Sequence, residues 1–127
     1  MTHGTCLCGA VSVSFEPAIG PIAACHCTQC RKLSGFYSAS FDIDEAATVW
    51  TGQVSIYATP GGGSRGFCPI CGSKLWFRAA DGAFSIEAGM VDGPTGARLT
   101  EHIFTARKGD YYDIAGDIPQ FTEWGET

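Results

Sequence analysis

Hydrophobic and polar residues alternate along four segments of the chain, and this period of two predicts β-strands with one face toward a core. The apolar positions of these segments are Val11, Val13 and Phe15; Tyr37, Ala39, Phe41 and Ile43; Leu75 and Phe77; and Phe84, Ile86 and Ala88. Before the middle of the chain, one short helical turn is expected, from Thr28 to Leu33. These patterns predict a mainly β fold with little helix.

The glycine and proline content supports the same fold class. Of the 127 residues, 17 are Gly and 6 are Pro, far more than a helical bundle would use. Such residues favour many short strands and turns. The length favours a single domain, residues 1–127. Hydrophobic residues make up 45% and charged residues 17% of the chain, which excludes a disordered protein.

The charge and the first residues of the chain restrict its partners and its location. A formal net charge of −5 argues against nucleic acid as a partner, because that binding depends on clustered positive charge. No segment approaches the ~18 apolar residues that a membrane span needs, so no membrane partner is expected. The start, Met1 to Gly9, lacks the basic and apolar regions of a secretory signal. We therefore expect a cytoplasmic protein.

The last part of the chain is acidic and aromatic. Residues 109–127 contain five Asp or Glu residues and no Lys or Arg. Aromatic and aliphatic residues are interleaved with these acids, among them Tyr111, Tyr112 and Trp124. Part of this segment is therefore expected to pack against the body of the protein or against a second subunit, which leaves a homodimer possible.

Seven cysteines fall into three clusters whose spacing is typical of metal ligands. The odd number and the Cys-x-Cys spacings suit disulfides badly. Cys68-Pro-Ile-Cys71-Gly is a metal knuckle, which supplies two ligands and needs two more. Cys6 and Cys8 lie two residues apart, so on an extended segment both side chains would point to one face. These four thiols predict a closed, structural zinc site.

Three further thiols, those of Cys25, Cys27 and Cys30, lie within six residues. They can surround one metal ion and leave a fourth position open, an arrangement typical of catalytic zinc. A closed site with His26, His3 or His102 as the fourth ligand is the competing interpretation. Among these, His26 is a poor candidate, because both its neighbours in the chain are ligands and its ring would tend to face away.

The three-thiolate ligand set indicates a class of chemistry. Three thiolates donate much charge to zinc, so the ion activates water weakly and favours another soft ligand, such as a substrate thiol. A free thiol has a pKa near ~8.5 and is mostly protonated at pH 7, so holding it as a thiolate matters. The sequence therefore indicates a small thiol as substrate and a reaction that makes or breaks a carbon–sulfur bond.

The three cysteine motifs also carry a resemblance to a known family. They read Cys6-Leu-Cys8-Gly9, Cys25-His-Cys27-Thr-Gln-Cys30-Arg-Lys-Leu-Ser-Gly35 and Phe67-Cys-Pro-Ile-Cys-Gly-Ser73, and they are followed by Ile86-Glu-Ala-Gly-Met-Val-Asp92 and His102-Ile-Phe104. Over nearly its whole length, the chain resembles the glutathione-dependent formaldehyde-activating family, which includes proteins similar to centromere protein V.

This resemblance implies a fold, two metal ions and an activity. The fold would be one of coiled antiparallel sheets held by zinc, of the β-tent type. Two Zn²⁺ ions per chain are implied, one structural and one catalytic; their ligands would be Cys6, Cys8, Cys68 and Cys71, and Cys25, Cys27 and Cys30, respectively. Because the second site is open, its zinc is expected to be the more labile. The implied activity is that of a carbon–sulfur lyase, which condenses formaldehyde with glutathione to S-hydroxymethylglutathione.

Residues that contact the substrate are harder to identify from the sequence. Glutathione carries two carboxylates, so its site needs an Arg or Lys. Seven are candidates, and Arg31 and Lys32 are preferred because they directly follow a metal ligand. His26 could orient the site or move a proton.

Other functions remain open on the sequence. A zinc-held β-fold can be a non-catalytic protein-binding module, as in the Rab guanine-nucleotide-releasing zinc proteins, but that pattern offers four ligands and lacks the third cluster. Methionine sulfoxide reductase B, which is similar in fold, needs a reactive Cys late in the chain, and none follows Cys71.

Overall fold

The computed structural model describes residues 1–124, which form ten strands and one α-helix. The strands are β1 (Thr2–Thr5), β2 (Ser12–Phe15), β3 (Ile22–Cys25), β4 (Ser38–Asp42), β5 (Thr48–Thr51), β6 (Ser55–Ala58), β7 (Ser64–Phe67), β8 (Lys74–Arg78), β9 (Phe84–Glu87) and β10 (Leu99–Ile103). The α-helix, α1, is Thr28–Ser34, and three short 3₁₀ helices cover Glu45–Ala47, Ala88–Met90 and Thr105–Arg107. The predictions of a mainly β fold and of a helix at Thr28 are confirmed.

The strands form two sheets. A three-stranded sheet has the order β1-β2-β5, and a seven-stranded sheet has the order β10-β3-β4-β9-β8-β7-β6. Within residues 1–124, every pair of strands is antiparallel except β3 and β10, which run parallel. The expected antiparallel sheets are therefore present, and the one parallel pair lies at this edge, where a long crossover brings β10 back beside β3.

The core joins the two sheets. Val13 and Phe15 of β2 belong to one buried cluster with Phe41 and Ile86 of the larger sheet. The rings of Phe15 and Phe41 have centroids 5.8 Å apart. Alternation placed these apolar side chains correctly, because one face of each short strand covers the opposing sheet.

Strand β8 departs from simple alternation. Leu75 was expected to face the core and Trp76 to face away, yet both are buried, with 0% and 7% of their surface exposed. The indole ring of Trp76 lies where the side chain of residue 66 would be, and an added Cβ on Gly66 would lie 2.2 Å from it. A glycine opposite the ring is what allows β8 to bury both faces.

The register of the larger sheet places the candidate functional side chains on one face. Cys25 is paired with Ser38, Ser40 with Glu87, and Phe77 with both Ser85 and Arg65. Directly paired residues in an antiparallel sheet point to the same side. The contacts between side chains agree, since Ser38 Oγ donates to Glu87 Oε1 at 2.6 Å. The polar face opposite the core therefore carries Cys25 and Arg65.

The C-terminal segment packs against the body, as expected. The backbone N–H of Phe121 donates to the carbonyl of His102 at 2.8 Å, and the Tyr111 hydroxyl donates to the carbonyl of Gly35. The acidic segment predicted from the sequence runs to residue 127, and its residues 125–127 lie outside the described part. Within residues 1–124, no helix has the length and apolar character needed to cross a membrane.

Candidate metal centres

Four cysteines from two turns form the first cluster. The thiol sulfurs of Cys6, Cys8, Cys68 and Cys71 all lie within 4.8 Å of one another. The extended segment expected for Cys6 and Cys8 is wrong, because these residues form a turn in which the N–H of Gly9 donates to the carbonyl of Cys6 at 3.1 Å. Gly9 has a φ of 82°, which a residue with a side chain rarely adopts. The turn, rather than a strand, brings the two sulfurs together.

The turn that carries Cys68 and Cys71 has the same backbone geometry. Its Gly72 has a φ of 78° and donates its N–H to the carbonyl of Cys68 at 2.9 Å. Backbone N–H groups also point at sulfur: that of Val11 lies 3.3 Å from Cys6 Sγ, and that of Ile70 lies 3.4 Å from Cys68 Sγ. Such donors favour a thiolate over a thiol, and thiolate is the form that binds metal.

The spacing of the sulfurs fits a tetrahedral ion. Zn–S bonds of ~2.3 Å in a tetrahedron separate the sulfurs by about 3.8 Å. The Sγ atoms of Cys6 and Cys8 are 3.7 Å apart, and those of Cys8 and Cys68 are 3.8 Å apart. Hydrogen bonds from Ser73 lower the pKa of the Cys71 thiol to about 5. This cluster could hold a metal ion of zinc's size.

The second cluster lies at the junction of β3 and α1. Cys25 ends the strand, Cys27 precedes the helix, and Cys30 lies in its first turn, so that the three sulfurs are within 4.8 Å of one another. Cys27 is also the N-cap of α1, where its sulfur accepts the N–H of Cys30 at 3.3 Å. The cap fixes the positions of both thiols.

Because the three thiols lie so close together, their pKa values differ. Hydrogen bonds from Cys25 and Cys30 lower the pKa of Cys27, whereas hydrogen bonding to Cys27 and Cys30 raises the pKa of Cys25. Three sulfurs cannot all be charged so close together without a cation to offset them. The second cluster, like the first, could therefore hold a metal ion. Within residues 1–124, no fourth His, Cys, Asp or Glu joins it.

An arginine lies at the edge of the three-thiol cluster. Arg65 Nη2 is 3.9 Å from Cys30 Sγ. Hydrogen bonding with Cys25 and the charge of Arg65 act to lower the pKa of Cys30, but hydrogen bonding with Cys27 and burial raise it on balance. Its Nε donates to Gln29 Oε1 at 3.0 Å, and its guanidinium carbon lies 4.5 Å from the centroid of the Phe77 ring. The charge is therefore held in place from two sides.

His26, between two of the thiols, belongs to a buried network behind them. Its Nδ1 is hydrogen-bonded to the Tyr112 hydroxyl at 2.6 Å, and its Nε2 to His102 Nδ1 at 2.9 Å. Burial, followed by the charges of His102 and Lys108, lowers the pKa of His26 to about 4, so the ring is neutral at pH 7. Because both ring nitrogens have partners, the geometry favours an orienting role over proton transfer. It also disfavours His26 as a metal ligand, and within residues 1–124 no histidine joins either cluster.

The two preferred cations occupy different environments. Arg31 is half-buried, and its Nε is enclosed without a hydrogen-bond partner. Lys32 is exposed on α1. Neither side chain forms a hydrogen bond to the thiols, whereas the side chain of Arg65 lies beside them. Arg65 was one of the seven candidate cations, but nothing in its local sequence distinguished it.

The motifs and their geometry agree with a comparison against protein families. The model of the glutathione-dependent formaldehyde-activating enzyme family matches residues 1–107, which include all seven cysteines. The chain belongs to this family. The resemblance carried by the cysteine motifs is thereby confirmed.

Two individual proteins are similar over most of the chain. A protein of Schizosaccharomyces pombe, named an uncharacterized lyase, is 27% identical over 123 residues, which cover 94% of this chain and 90% of that protein. The crystal structure of a Rhodobacter sphaeroides protein has a TM-score of 0.60 and 18% sequence identity, and the match covers 93% of this chain and 98% of that one. The similarity to this crystal structure shows the fold alone. Family membership and the lyase relative support a lyase-like enzyme.

Proposed function

We propose that the protein is a zinc-dependent carbon–sulfur lyase, which condenses glutathione or another small thiol with formaldehyde or a related carbonyl. The observation that carries this proposal is the cluster of Cys25, Cys27 and Cys30, which converge without a fourth protein ligand from residues 1–124. An open position at three thiolates is suited to a substrate thiol. Family membership and the relative named a lyase support the same class of reaction.

The reaction forms one carbon–sulfur bond. The thiol sulfur attacks the carbonyl carbon, the carbon–oxygen double bond becomes a single bond, and the oxygen takes a proton from solvent. The proton lost by the thiol balances the one gained, so formaldehyde and glutathione give S-hydroxymethylglutathione with no other product. The limiting requirement is a thiolate near pH 7, where a free thiol is mostly protonated.

The two clusters have separate roles in this proposal. Cys6, Cys8, Cys68 and Cys71 hold a structural zinc, and Cys25, Cys27 and Cys30 hold a catalytic one. Zinc bound by three thiolates supplies a position that keeps a substrate thiol deprotonated. Arg65 offsets the negative charge that a further thiolate adds beside Cys30. His26, fixed by Tyr112 and His102, holds the loop between Cys25 and Cys27 in place.

The direct test is the rate of hemithioacetal formation. Protein with two zinc ions is mixed with glutathione and formaldehyde, and NMR exchange measures how fast the thiol and its adduct interconvert. We expect a rate above the spontaneous reaction, since formaldehyde and thiols also combine without an enzyme. The Cys27→Ala variant, which lacks one metal ligand, should return the rate to the spontaneous value. Absence of acceleration with glutathione and with every other small thiol would overturn the proposal.

The proposal also concerns the protein's surroundings. None of the seven cysteines is in a disulfide, and metal-binding thiols persist in a reducing compartment. We therefore place the enzyme in the cytoplasm. Small thiols are abundant there, and they are the partners that the site requires.

A further inference from the structure

Two clefts meet at one pair of oppositely charged side chains, those of Lys74 and Glu87. The first cleft, of about 440 Å³, lies between α1 and the strands β6 to β9. The second, of about 560 Å³, lies between β1, β4 and the 3₁₀ helix Ala88–Met90. Both volumes are within the usual range of small-molecule sites. Lys74 and Glu87 line both clefts, so a ligand in either one lies beside this pair.

The carboxylate of Glu87 is fixed in position and can still accept further hydrogen bonds. Ser38 Oγ donates to it and lies 2.6 Å from Oε1 and 2.7 Å from Oε2. A carboxylate has about four acceptor positions, so one hydroxyl leaves others for a ligand. Ser38 is the partner of Cys25 in the register of β3 and β4. Glu87 is therefore held on the face of the sheet that carries Cys25.

The ammonium of Lys74 lies near this carboxylate without being hydrogen-bonded to it. Lys74 Nζ is 3.8 Å from Glu87 Oε1, which is beyond the range of a hydrogen bond. An ammonium has three donors, and this contact uses none of them. The two side chains are partly exposed, by 26% for Lys74 and 15% for Glu87. Both members of the pair can therefore bind a further charged group.

The other charged residues that line the clefts have different surroundings. Arg65 lines the first cleft alone, and its guanidinium lies beside Cys30 Sγ. Asp92 lines the second cleft alone, and its Oδ2 accepts the hydroxyl of Thr5 at 3.0 Å. The lysine–glutamate pair is where opposite charges adjoin in both clefts.

An α-amino acid group is complementary to such a pair. It carries an ammonium and a carboxylate on the same carbon, so the ammonium can bind a carboxylate while the carboxylate binds an adjacent ammonium. A ligand with only one of these charges would satisfy one member of the pair. Glutathione has one α-amino acid group, at its γ-glutamyl end, because its cysteine nitrogen is in an amide and its glycine end is a lone carboxylate.

We infer that Lys74 and Glu87 bind the γ-glutamyl end of glutathione, with its α-carboxylate on Lys74 and its α-ammonium on Glu87. This inference rests on the proposed function, which names glutathione as the first choice of thiol. The pair determines specificity for glutathione over small thiols that lack an α-amino acid group. It takes no part in forming the carbon–sulfur bond.

The test compares three peptide thiols by calorimetric titration of protein that contains both zinc ions. Glutathione is the full probe. In the second peptide, a glutaryl group replaces γ-glutamyl and removes the ammonium; in the third, a 4-aminobutanoyl group removes the α-carboxylate. All three keep the cysteinylglycine part, so the contribution of the thiol is the same. We expect glutathione to bind about tenfold more tightly than either analogue, since hydrogen bonds between charged groups contribute that much. Equal affinities would overturn the inference.

Two variants assign each charge of the ligand to one member of the pair. Lys74→Met should weaken glutathione and the glutaryl peptide about tenfold, and should not weaken the 4-aminobutanoyl peptide, which has no α-carboxylate. Glu87→Gln keeps an acceptor for Ser38 and should weaken glutathione and the 4-aminobutanoyl peptide, but not the glutaryl peptide. The reverse pattern, or an equal loss for all three peptides, would contradict the assignment.

Matched controls remove a charge elsewhere. Arg98→Met replaces an exposed arginine outside both clefts and should change none of the affinities. Asp92→Asn removes the other carboxylate of the second cleft and should change them less than about twofold. If Asp92→Asn, rather than Glu87→Gln, weakens the peptides that carry the ammonium, the role assigned to Glu87 is wrong. Zinc content and circular dichroism are measured for each variant.

The outcomes separate this inference from the proposed function. If the protein accelerates the reaction of a small thiol with formaldehyde but binds the three peptides equally, the pair does not recognise the γ-glutamyl end and the proposed function stands. If no thiol binds or reacts faster on protein that contains both zinc ions, the proposed function and the inference both fail.

Discussion

Cys27 combines two roles in one side chain, and they can be separated by substitution. Its sulfur is a candidate metal ligand and also the N-cap of α1. Cys27→Ala should lose one metal equivalent and also destabilise the protein by about 1 kcal/mol, the usual cost of a lost cap. Cys27→Ser should lose the metal but keep most of the stability, because a hydroxyl can also cap a helix. Metal analysis and denaturant unfolding check both, and equal unfolding midpoints for the two variants would contradict the capping role.

Tyr112 should be necessary for the shape of the thiol loop although it lies far away in the chain. Its hydroxyl is the partner of His26 Nδ1, and the ring of His26 is fully buried. Tyr112→Phe leaves this nitrogen unpaired, so the free energy of unfolding should fall by about 1–3 kcal/mol. Tyr111→Phe removes a hydroxyl from an exposed side chain and serves as the control, with a smaller expected loss. An unchanged stability of Tyr112→Phe would show that the buried network does not support the loop.

The sequence revealed the candidate ligands more readily than their surroundings. Cysteine spacing predicted both clusters, because metal ligands lie on short turns whose geometry is local. Arg65 is 35 residues from Cys30 in the chain, and Tyr112 is 86 from His26. Their proximity depends on strand pairing and on the path of the C-terminal segment. No local pattern encodes either of these.

At the level of elements, the pair of Gly66 on β7 and Trp76 on β8 explains why β8 buries both faces. An added Cβ on Gly66 would lie 2.2 Å from Trp76 Cε2, and this ring is almost fully buried. Gly66→Ala should therefore lower the free energy of unfolding by about 1–3 kcal/mol through overpacking. Gly20→Ala is the matched control, because a Cβ there meets nothing within 4 Å. Chemical denaturation measures the free energy of unfolding of both variants. Equal values for the two would contradict this packing.

A bidentate ion pair ties the first 3₁₀ helix to β8 and should show in the pH dependence of stability. Arg78 Nε donates to Glu45 Oε1 at 2.9 Å, and this guanidinium lowers the pKa of Glu45. A lowered pKa in the folded state stabilises the protein above the unfolded value of about 4.3, and the contribution disappears as the pH falls through the folded value. Both side chains are partly exposed, so Glu45→Gln should cost about 0.5 kcal/mol at pH 7.

Unfolding curves at several pH values check this. The difference between Glu45→Gln and the unchanged protein should shrink toward zero below the folded pKa of Glu45. A difference that persists at low pH would mean that Gln disturbs packing rather than charge.

The alternation of apolar and polar residues predicted some strands and missed others. The strands around Val13, Phe41, Leu75 and Ile86 were identified because their apolar residues alternate in a one-sided core. Ala88 was expected to continue its strand and instead begins a 3₁₀ helix. Strands of four residues such as β6, which has no buried residue, carry too short a pattern to be recognised. The parallel edge of β3 and β10 depends on a crossover that no local signal reveals.

At the scale of the whole molecule, the four-thiol cluster connects the two sheets. Cys6 and Cys8 follow β1 of the smaller sheet, and Cys68 and Cys71 lie between β7 and β8 of the larger one. A metal there would join the sheets in a chain whose core is modest, and such sites contribute ~10–16 kcal/mol in small zinc peptides. The three-thiol cluster lies at the local junction of β3 and α1, both close in the chain, and does not connect the two sheets. The two sites should therefore differ in what their metal does for the fold.

The most direct test of this account removes zinc in stages with a mild chelator. Native mass spectrometry counts the metal, circular dichroism follows the fold, and NMR exchange follows the reaction of thiol with formaldehyde. We predict two zinc ions per chain, the first of which leaves with the sheet signal intact and takes the acceleration with it. The second should leave only as the protein unfolds. A single tightly held zinc, or unfolding as the first ion leaves, would contradict an open catalytic site at Cys25, Cys27 and Cys30.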